Sequence, residues 1–345
     1  MSDTFLPERA QPFEQLVDTG DLEHLVKKAK RLARKAKADN TNLAYAADWK
    51  HYLAWCAARG VPPLPPDPQA IGLYITAMAT EPRAGGKDPL TADTIERRLS
   101  GLAWNFRQRG MTLDRGDRHI SEVMDGIRNE YARPPVRKVA VLAPDLIAML
   151  GVLPTGLSGL RDRALLLLGF AGALRRSEIV GLDCGPKETE EGRGWVEFLE
   201  DGMVLHLKGK TGWREVAIGR GSSERTCPVV ALKEWLRVAK IVHGPIFRKL
   251  APKCQKVTLR RLAGQHVARL VQSTALAAGV RADLSEGARR RAFAGHSLRA
   301  GLATGAEVEE RYVQAQLGHA TATMTRRYQR DRDRFKVNLT KAAGL

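Results

Sequence analysis

The stretch Gly295-His-Ser-Leu-Arg-Ala-Gly-Leu-Ala-Thr304, followed by Leu317-Gly-His-Ala-Thr321 and then Tyr328, decides how this chain is read. His296 and Arg299 stand three residues apart, so a helix puts both side chains on one face. The same stretch offers donors for an anionic oxygen, an imidazole able to move a proton, and a phenol able to attack. Far upstream, Arg175 follows the apolar run Leu165–Leu174. A guanidinium there needs a partner or a ligand, and Glu178, three residues on, is spaced to pair with it. Cleaving a phosphodiester without a metal needs a deprotonated attacking oxygen, cationic donors around the phosphorus and a proton for the leaving oxygen. Arginine suits the second task because its planar fork binds two phosphoryl oxygens at once.

Around these residues the second half of the chain reads as mixed. Helices are expected near 144–152, 159–170, 175–183, 229–240, 259–278, 297–308, 310–317 and 321–331. Strand-like runs cover Trp195–Leu199, Met203–Lys208 and Trp213–Ile218, and Gly209-Lys-Thr-Gly212 suits a tight hairpin between the last two. The first half reads as all-helical. Residues 1–21 form a loose tail, and apolar positions from Leu22 to Ala36 recur at helical spacing among lysines and arginines of one sign. That one-signed surface suits phosphates or an acidic lipid face. Thr41 is placed to cap the next helix, whose stripe of Tyr45, Trp49, Tyr52, Leu53 and Cys56 reads as core. Helices over 68–80, 91–109 and 119–131 complete the unit, with Arg97 and Arg98 facing out. The basic, proline-containing segment 133–142 reads as a linker.

Composition narrows the class. The 345 residues carry 56 Lys plus Arg against 38 Asp plus Glu, a net +18, which points to a polyanionic partner such as nucleic acid. Cys56, Cys184, Cys227 and Cys254 form no CxxC or paired Cys/His spacing, so neither zinc nor a disulfide framework is expected. The N-terminal stretch lacks an apolar core, so no secretory signal is expected. The apolar run Ala164–Leu174 is too short to cross a bilayer.

Taken singly, each chemical residue has an ordinary reading: a structural ion pair, an exposed turn lysine, a packed histidine or tyrosine. Taken together, Ala173-Leu-Arg-Arg-Ser-Glu-Ile-Val-Gly-Leu182, Lys208-Gly-Lys-Thr-Gly212, His296–Thr304, Leu317–Thr321 and Arg327-Tyr328 resemble the tyrosine recombinase, or phage integrase, family in order and spacing. The likeness covers the second half and extends to Asn40–Cys56, which looks like the opening helix of a core-binding domain. It implies a mainly α fold with a small antiparallel β-sheet in a catalytic domain over 143–345, a helical core-binding domain over 22–132, and a C-shaped clamp on DNA.

By the same resemblance, Arg175 and Arg299 clamp the scissile phosphate and Tyr328 attacks it, leaving a 3′-phosphotyrosyl link. Lys210 protonates the leaving 5′ oxygen, His296 exchanges a proton near the tyrosine, His319 bonds the phosphoryl group and Glu178 orients the first arginine. The Leu-Arg-x-Ser-Glu frame selects Arg175 over Arg176; Lys208 remains a rival to Lys210. Tyr312 is a rival nucleophile, but it precedes His319, whereas the family tyrosine follows. Thr41, Lys50, Thr94, Arg97, Arg98, Arg137 and Lys138 are the candidate DNA contacts. No metal, cofactor or ATP is called for.

The implied partners are double-stranded recombination sites, gripped by a homotetramer assembled from a protein monomeric in free solution, with accessory DNA-bending proteins and no membrane. The expected location is the cytoplasm, on the nucleoid. The end of the chain, 334–345, reads as a short helix that docks on a neighbouring protomer or on its own domain. Rival functions are a type IB topoisomerase, a silent DNA-binding protein with the same clamp, and a membrane-surface protein resting on the 22–37 helix alone.

Overall fold

The computed structural model describes residues 22–35, 39–86, 88–133, 138–209, 212–251, 256–318 and 321–329, the side chains of 34, 35, 39 and 327–329 excepted. The chain divides into two compact units, Met1–Pro135 and Val136–Leu345.

The first unit is helical: α1 Glu23–Lys35, α2 Asp39–Arg59, α3 Pro68–Thr80, α4 Ala92–Arg107 and α5 Arg118–Tyr131. Proline at the first position of α3 and the Asp67 side chain, which accepts from Gln69 N, set that helix start; Asp117 does the same for α5 through His119 N. Helix α3 packs on α5 and α2 packs on α4. The stripe on α2 is core: Trp49, Tyr52 and Cys56 are buried against Tyr74, Leu99 and Phe106. Ring pairs at 5.2 Å, Tyr52 with Tyr74 and Trp49 with Phe106, meet edge to face. Each such fully buried side chain contributes about 1.5–3 kcal/mol. One expectation changes here. Helix α2 starts at Asp39, so Thr41 lies inside its first turn and is not the cap. The apolar stripe of α1 is left open, with Leu25 and Leu32 exposed.

The second unit is mixed. From Val139 the chain is bound into it, because Val139 N donates to Ala292 O and the buried Val141 donates to Ser297 O. Helices α6 (Ala143–Gly151), α7 (Leu157–Ala171) and α8 (Arg176–Val180) precede strands β1 (Leu182–Asp183), β2 (Gly194–Phe198), β3 (Gly202–Gly209) and β4 (Gly212–Gly219). The strands lie in the order β1-β2-β3-β4, with β1 and β2 parallel and the rest antiparallel. Then follow α9 (Pro228–Val238), the hairpin β5 (Arg248–Leu250) and β6 (Val257–Arg261), and α10 (Gly264–Ala277), α11 (Glu286–Ala292), α12 (His296–Gly305), α13 (Glu310–Leu317) and α14 (Ala322–Gln329).

The helix expected over 259–278 therefore starts only at Gly264. Residues 257–261 pair with β5 instead, since a run opening on two β-branched residues favours a ladder. The α7 run Leu165–Leu168 is fully or almost fully buried and forms the core with Leu174, Ile179, Leu205, Leu207, Trp235, Phe247 and Leu298. Period-two alternation aims Met203, Leu205 and Leu207 of β3, and Val216 and Ile218 of β4, into that core.

Candidate active site

The site grows from the end of α7. Gly172, Ala173 and Leu174 break that helix, with Ala173 held at φ 47°, a left-handed value that costs a non-glycine residue about 1–2 kcal/mol. The turn presents Arg175 at the start of α8 and aims Ala173 O at α12. Glu178, buried, holds Arg175 twice. Its Oε2 accepts from the Arg175 backbone N at 2.8 Å and its Oε1 from Nη1 at 2.7 Å. Arg175 is still 45% exposed, so the rest of its fork is open to a ligand. Burial pushes the Glu178 carboxyl up. The Arg175 amide, the charge of Arg214 and the Arg175 guanidinium outweigh that and hold it below its ordinary value.

Helix α12 brings the second arginine. Arg299 is 1% exposed; its Nη1 donates to Ala173 O at 2.7 Å and its Nη2 to Leu317 O at 2.5 Å. One guanidinium thus ties the turn before Arg175 to the end of α13. His296, one helical turn earlier, is exposed at the mouth. Its pKa is held below 6.5 by partial desolvation and then by the positive charges of Arg299, Arg175 and Arg176. The three guanidiniums therefore act together on the imidazole. The stem of Arg176 crosses Gly295, its Cγ and Cδ within 2.4 Å of where a Cβ would stand.

Arg175, Glu178, His296 and Arg299 therefore meet at one place, at the junction of the α7–α8 turn with α12. Tyr328 has its backbone in α14, which packs on α12 and α13. Lys210, His319, Arg137, Cys254, the tail 1–21 and the segment 334–345 lie outside the described residues. The rival lysine, Lys208, sits at the base of the hairpin opposite the exposed Trp213. Tyr312 is exposed on α13 beside Arg311.

Sequence reasoning passed over Arg214. It is the inward residue of β4 nearest the hairpin, sharing the parity of Val216 and Ile218, and it bonds both Glu178 and Gln316 O. A charged residue in an inward slot of an alternating strand is the signal that could have found it.

Among the DNA-contact candidates, Lys50 is exposed and Thr41 and Thr94 are half-buried. Lys138 is exposed and donates to Arg291 O. Arg97 faces out, 45% exposed, whereas Arg98 is largely enclosed, and both are engaged by one carboxylate. Buried Asp48 takes both Arg97 nitrogens at 2.6 and 2.7 Å, and Arg98, 18% exposed, lies 3.7 Å from the same carboxylate and against Met78.

A separate cavity of about 530 Å³ lies between α6, α7, the end of β4 and α12, lined by Leu146, Ile147, Phe170, Ile218, Leu302 and Gln316. It is not the arginine cluster. Among the described residues no helix is long and apolar enough to cross a membrane.

Residues 143–334 match the phage integrase family. The chain belongs to that family. The same conclusion follows from the "Integrase/recombinase xerD homolog" of Selenomonas ruminantium, 33% identical over 328 residues, which cover 92% of this chain and 89% of the relative. A tyrosine recombinase XerD from Chlorobaculum tepidum is 25% identical and matches 94% of each chain. Members of this family cleave and rejoin DNA strands, and the phage integrase chain described here is such an enzyme, a XerD-like site-specific recombinase.

The fold likeness extends to solved structures. One is the XerH site-specific recombinase bound to palindromic difH substrate in a post-cleavage complex, with TM-score 0.55, 18% identity, and cover of 88% of this chain and 78% of that one. Another is the Tn1549 transposon integrase in complex with transposon right end DNA, with TM-score 0.53, 16% identity, and cover of 87% and 92%.

Proposed function

We propose that this recombinase works through a covalent 3′-phosphotyrosyl intermediate, without metal or ATP. The observation that carries the reading is the convergence of Arg175, Arg299 and His296 on one mouth, with Glu178 holding Arg175. The phenol oxygen of Tyr328 attacks the scissile phosphorus as its proton passes to His296. Partial desolvation and then its cationic neighbours lower the pKa of that imidazole, which favours the neutral form that can accept a proton. Arg175, with His319, carries the charge that grows on the nonbridging oxygens, and Arg299 acts from the buried side; a well-placed donor of this kind is worth about 3–4 kcal/mol of barrier. The P–O5′ bond breaks, and Lys210 supplies the proton that leaves a 5′-hydroxyl. A 5′-hydroxyl from the partner strand then reverses each step, and the phosphodiester energy is kept in the enzyme link.

The substrate in this reading is paired double-stranded sites on which four protomers assemble. The helical unit binds the same duplex as the catalytic unit, through phosphate contacts that make affinity fall steeply with salt. The deciding experiment uses a nicked suicide duplex carrying a site selected by binding from a random pool. Wild type is expected to form an SDS-stable adduct and Tyr328→Phe none. An adduct of undiminished yield with Tyr328→Phe would refute the assignment.

A further inference from the structure

Arg214 is a largely enclosed cation that the cleavage scheme does not use, yet its partners are parts of the site. Its side chain is 17% exposed and comes from β4, two residues beyond the hairpin glycine Gly212. Nη2 donates to Glu178 Oε2 at 3.0 Å and Nη1 to Gln316 O at 3.0 Å. Its Nε is buried and makes no hydrogen bond among the described residues. The group also lies flat against Gly318: a Cβ there would stand 2.7 Å from Arg214 Cδ and 2.9 Å from Nε. Gly318 closes α13 at φ 60°, so both the left-handed turn and the guanidinium call for glycine. The next carbonyl along, Leu317 O, belongs to Arg299. Two arginines from two elements thus cap consecutive carbonyls at the negative end of one helix.

We propose that Arg214 is a positioning residue for strand cleavage: it locks the Glu178–Arg175 pair to the C-terminal turn of α13 and so fixes the direction in which Arg175 offers its fork. This rests on the role proposed above for Arg175. Arg214 shares one carboxylate with Arg175 and braces the C-terminal turn of α13. The Glu178 carboxylate has three donors: the Arg175 amide, the Arg175 guanidinium and Arg214. If Arg214 is lost, burial pushes the carboxyl up and a positive charge that opposed it is gone. Glu178 then takes up a proton more readily and releases Arg175. The defect should therefore deepen as pH falls through the carboxyl's own titration range. Arg176, Arg299 and His296 are the other titratable groups at this mouth. His296 responds to the position of Arg175, so the titration of Glu178 is read directly from its own carboxyl signal.

The test measures single-turnover adduct formation on the selected suicide duplex between pH 6 and 8, with duplex affinity, thermal melting and the carboxyl titration of Glu178 by carbon NMR in the free protein. For Arg214→Met the expected result is near-normal affinity and cleavage roughly 10- to 100-fold slower at pH 7. The Glu178 titration should move upward. Arg214→Lys keeps the charge but has one nitrogen for two acceptors, so it should cleave at an intermediate rate with a wild-type pH profile.

Wild-type cleavage by folded Arg214→Met would overturn the proposal, as would an unmoved Glu178 titration. Should Arg214→Met fail to fold, Arg214→Lys decides, and full-rate cleavage by it is the refuting result. If wild type itself forms no adduct, the cleavage reading fails, while the Glu178 titration still reports whether Arg214 governs the pair.

Discussion

Each half of this molecule buries one carboxylate between two arginines, and the two arrangements do different work. Asp48 and Glu178 are each 3% exposed. Each has one arginine that is 45% exposed, Arg97 or Arg175, and one nearly enclosed, Arg98 at 18% or Arg214 at 17%. In the helical unit both arginines come from α4, and Arg97 spends both ends of its fork on Asp48. In the catalytic unit the arginines come from different elements, and Arg175 gives Glu178 a single nitrogen plus its backbone amide. Exposure alone does not tell a brace from a ligand-binding arginine. What tells them apart is how many of the guanidinium donors the carboxylate consumes.

Substitution separates the two sites. The largest effect is expected for Arg175→Ala, which removes a transition-state donor: adduct formation should fall by about 10²–10³-fold with little change in melting. Arg97→Ala should leave adduct formation per folded molecule intact, and a matching loss of cleavage would erase the distinction. Next come the carboxylates. Asp48→Asn strips the anion from two arginines and should cost about 3 kcal/mol in a urea melt, with cleavage by the folded fraction unchanged. Glu178→Gln should instead slow cleavage by about tenfold, because Arg175 keeps its charge but loses its orienting charge-assisted bond.

The smallest effect is a titration. His296 should titrate below 6.5 in the free protein, and Arg175→Ala should raise that value, because removing a positive neighbour favours the imidazolium. The sign carries into stability. A histidine with a lowered folded pKa costs nothing above 6.5 and destabilises the fold as pH drops from there through the lowered value, since the unfolded chain then binds more protons. Proton NMR of the ring, with and without Arg175, checks both.

Much of the fold was legible because periodicity is local. Helix α3 begins and ends where its Asp-Pro start and apolar spacing place it, and β2 to β4 follow their alternation to within one residue. Elements with no such pattern escaped. Helix α11 has no buried residue and hence no apolar stripe, and β5 is three residues long. Within the site, the resemblance named Arg175, Glu178, His296 and Arg299, and the structure brings those four together. Arg214 was missed although its parity on β4 pointed inward; Arg97 faces out as read, but Arg98 is turned in, and the carboxylate that engages both lies on another helix.

The sequence by itself determined which segments are helix or strand, which faces are apolar and which reactive residue types are present. Those properties depend on neighbours within a few positions along the chain. Tertiary structure decided which arginines are free to meet a phosphate. The partner that occupies a guanidinium comes from far away in the chain, 49 residues for Arg97 and Asp48 and 36 for Arg214 and Glu178. Only packing brings such groups to hydrogen-bonding distance, and burial then makes the pairing strong enough to hold them there.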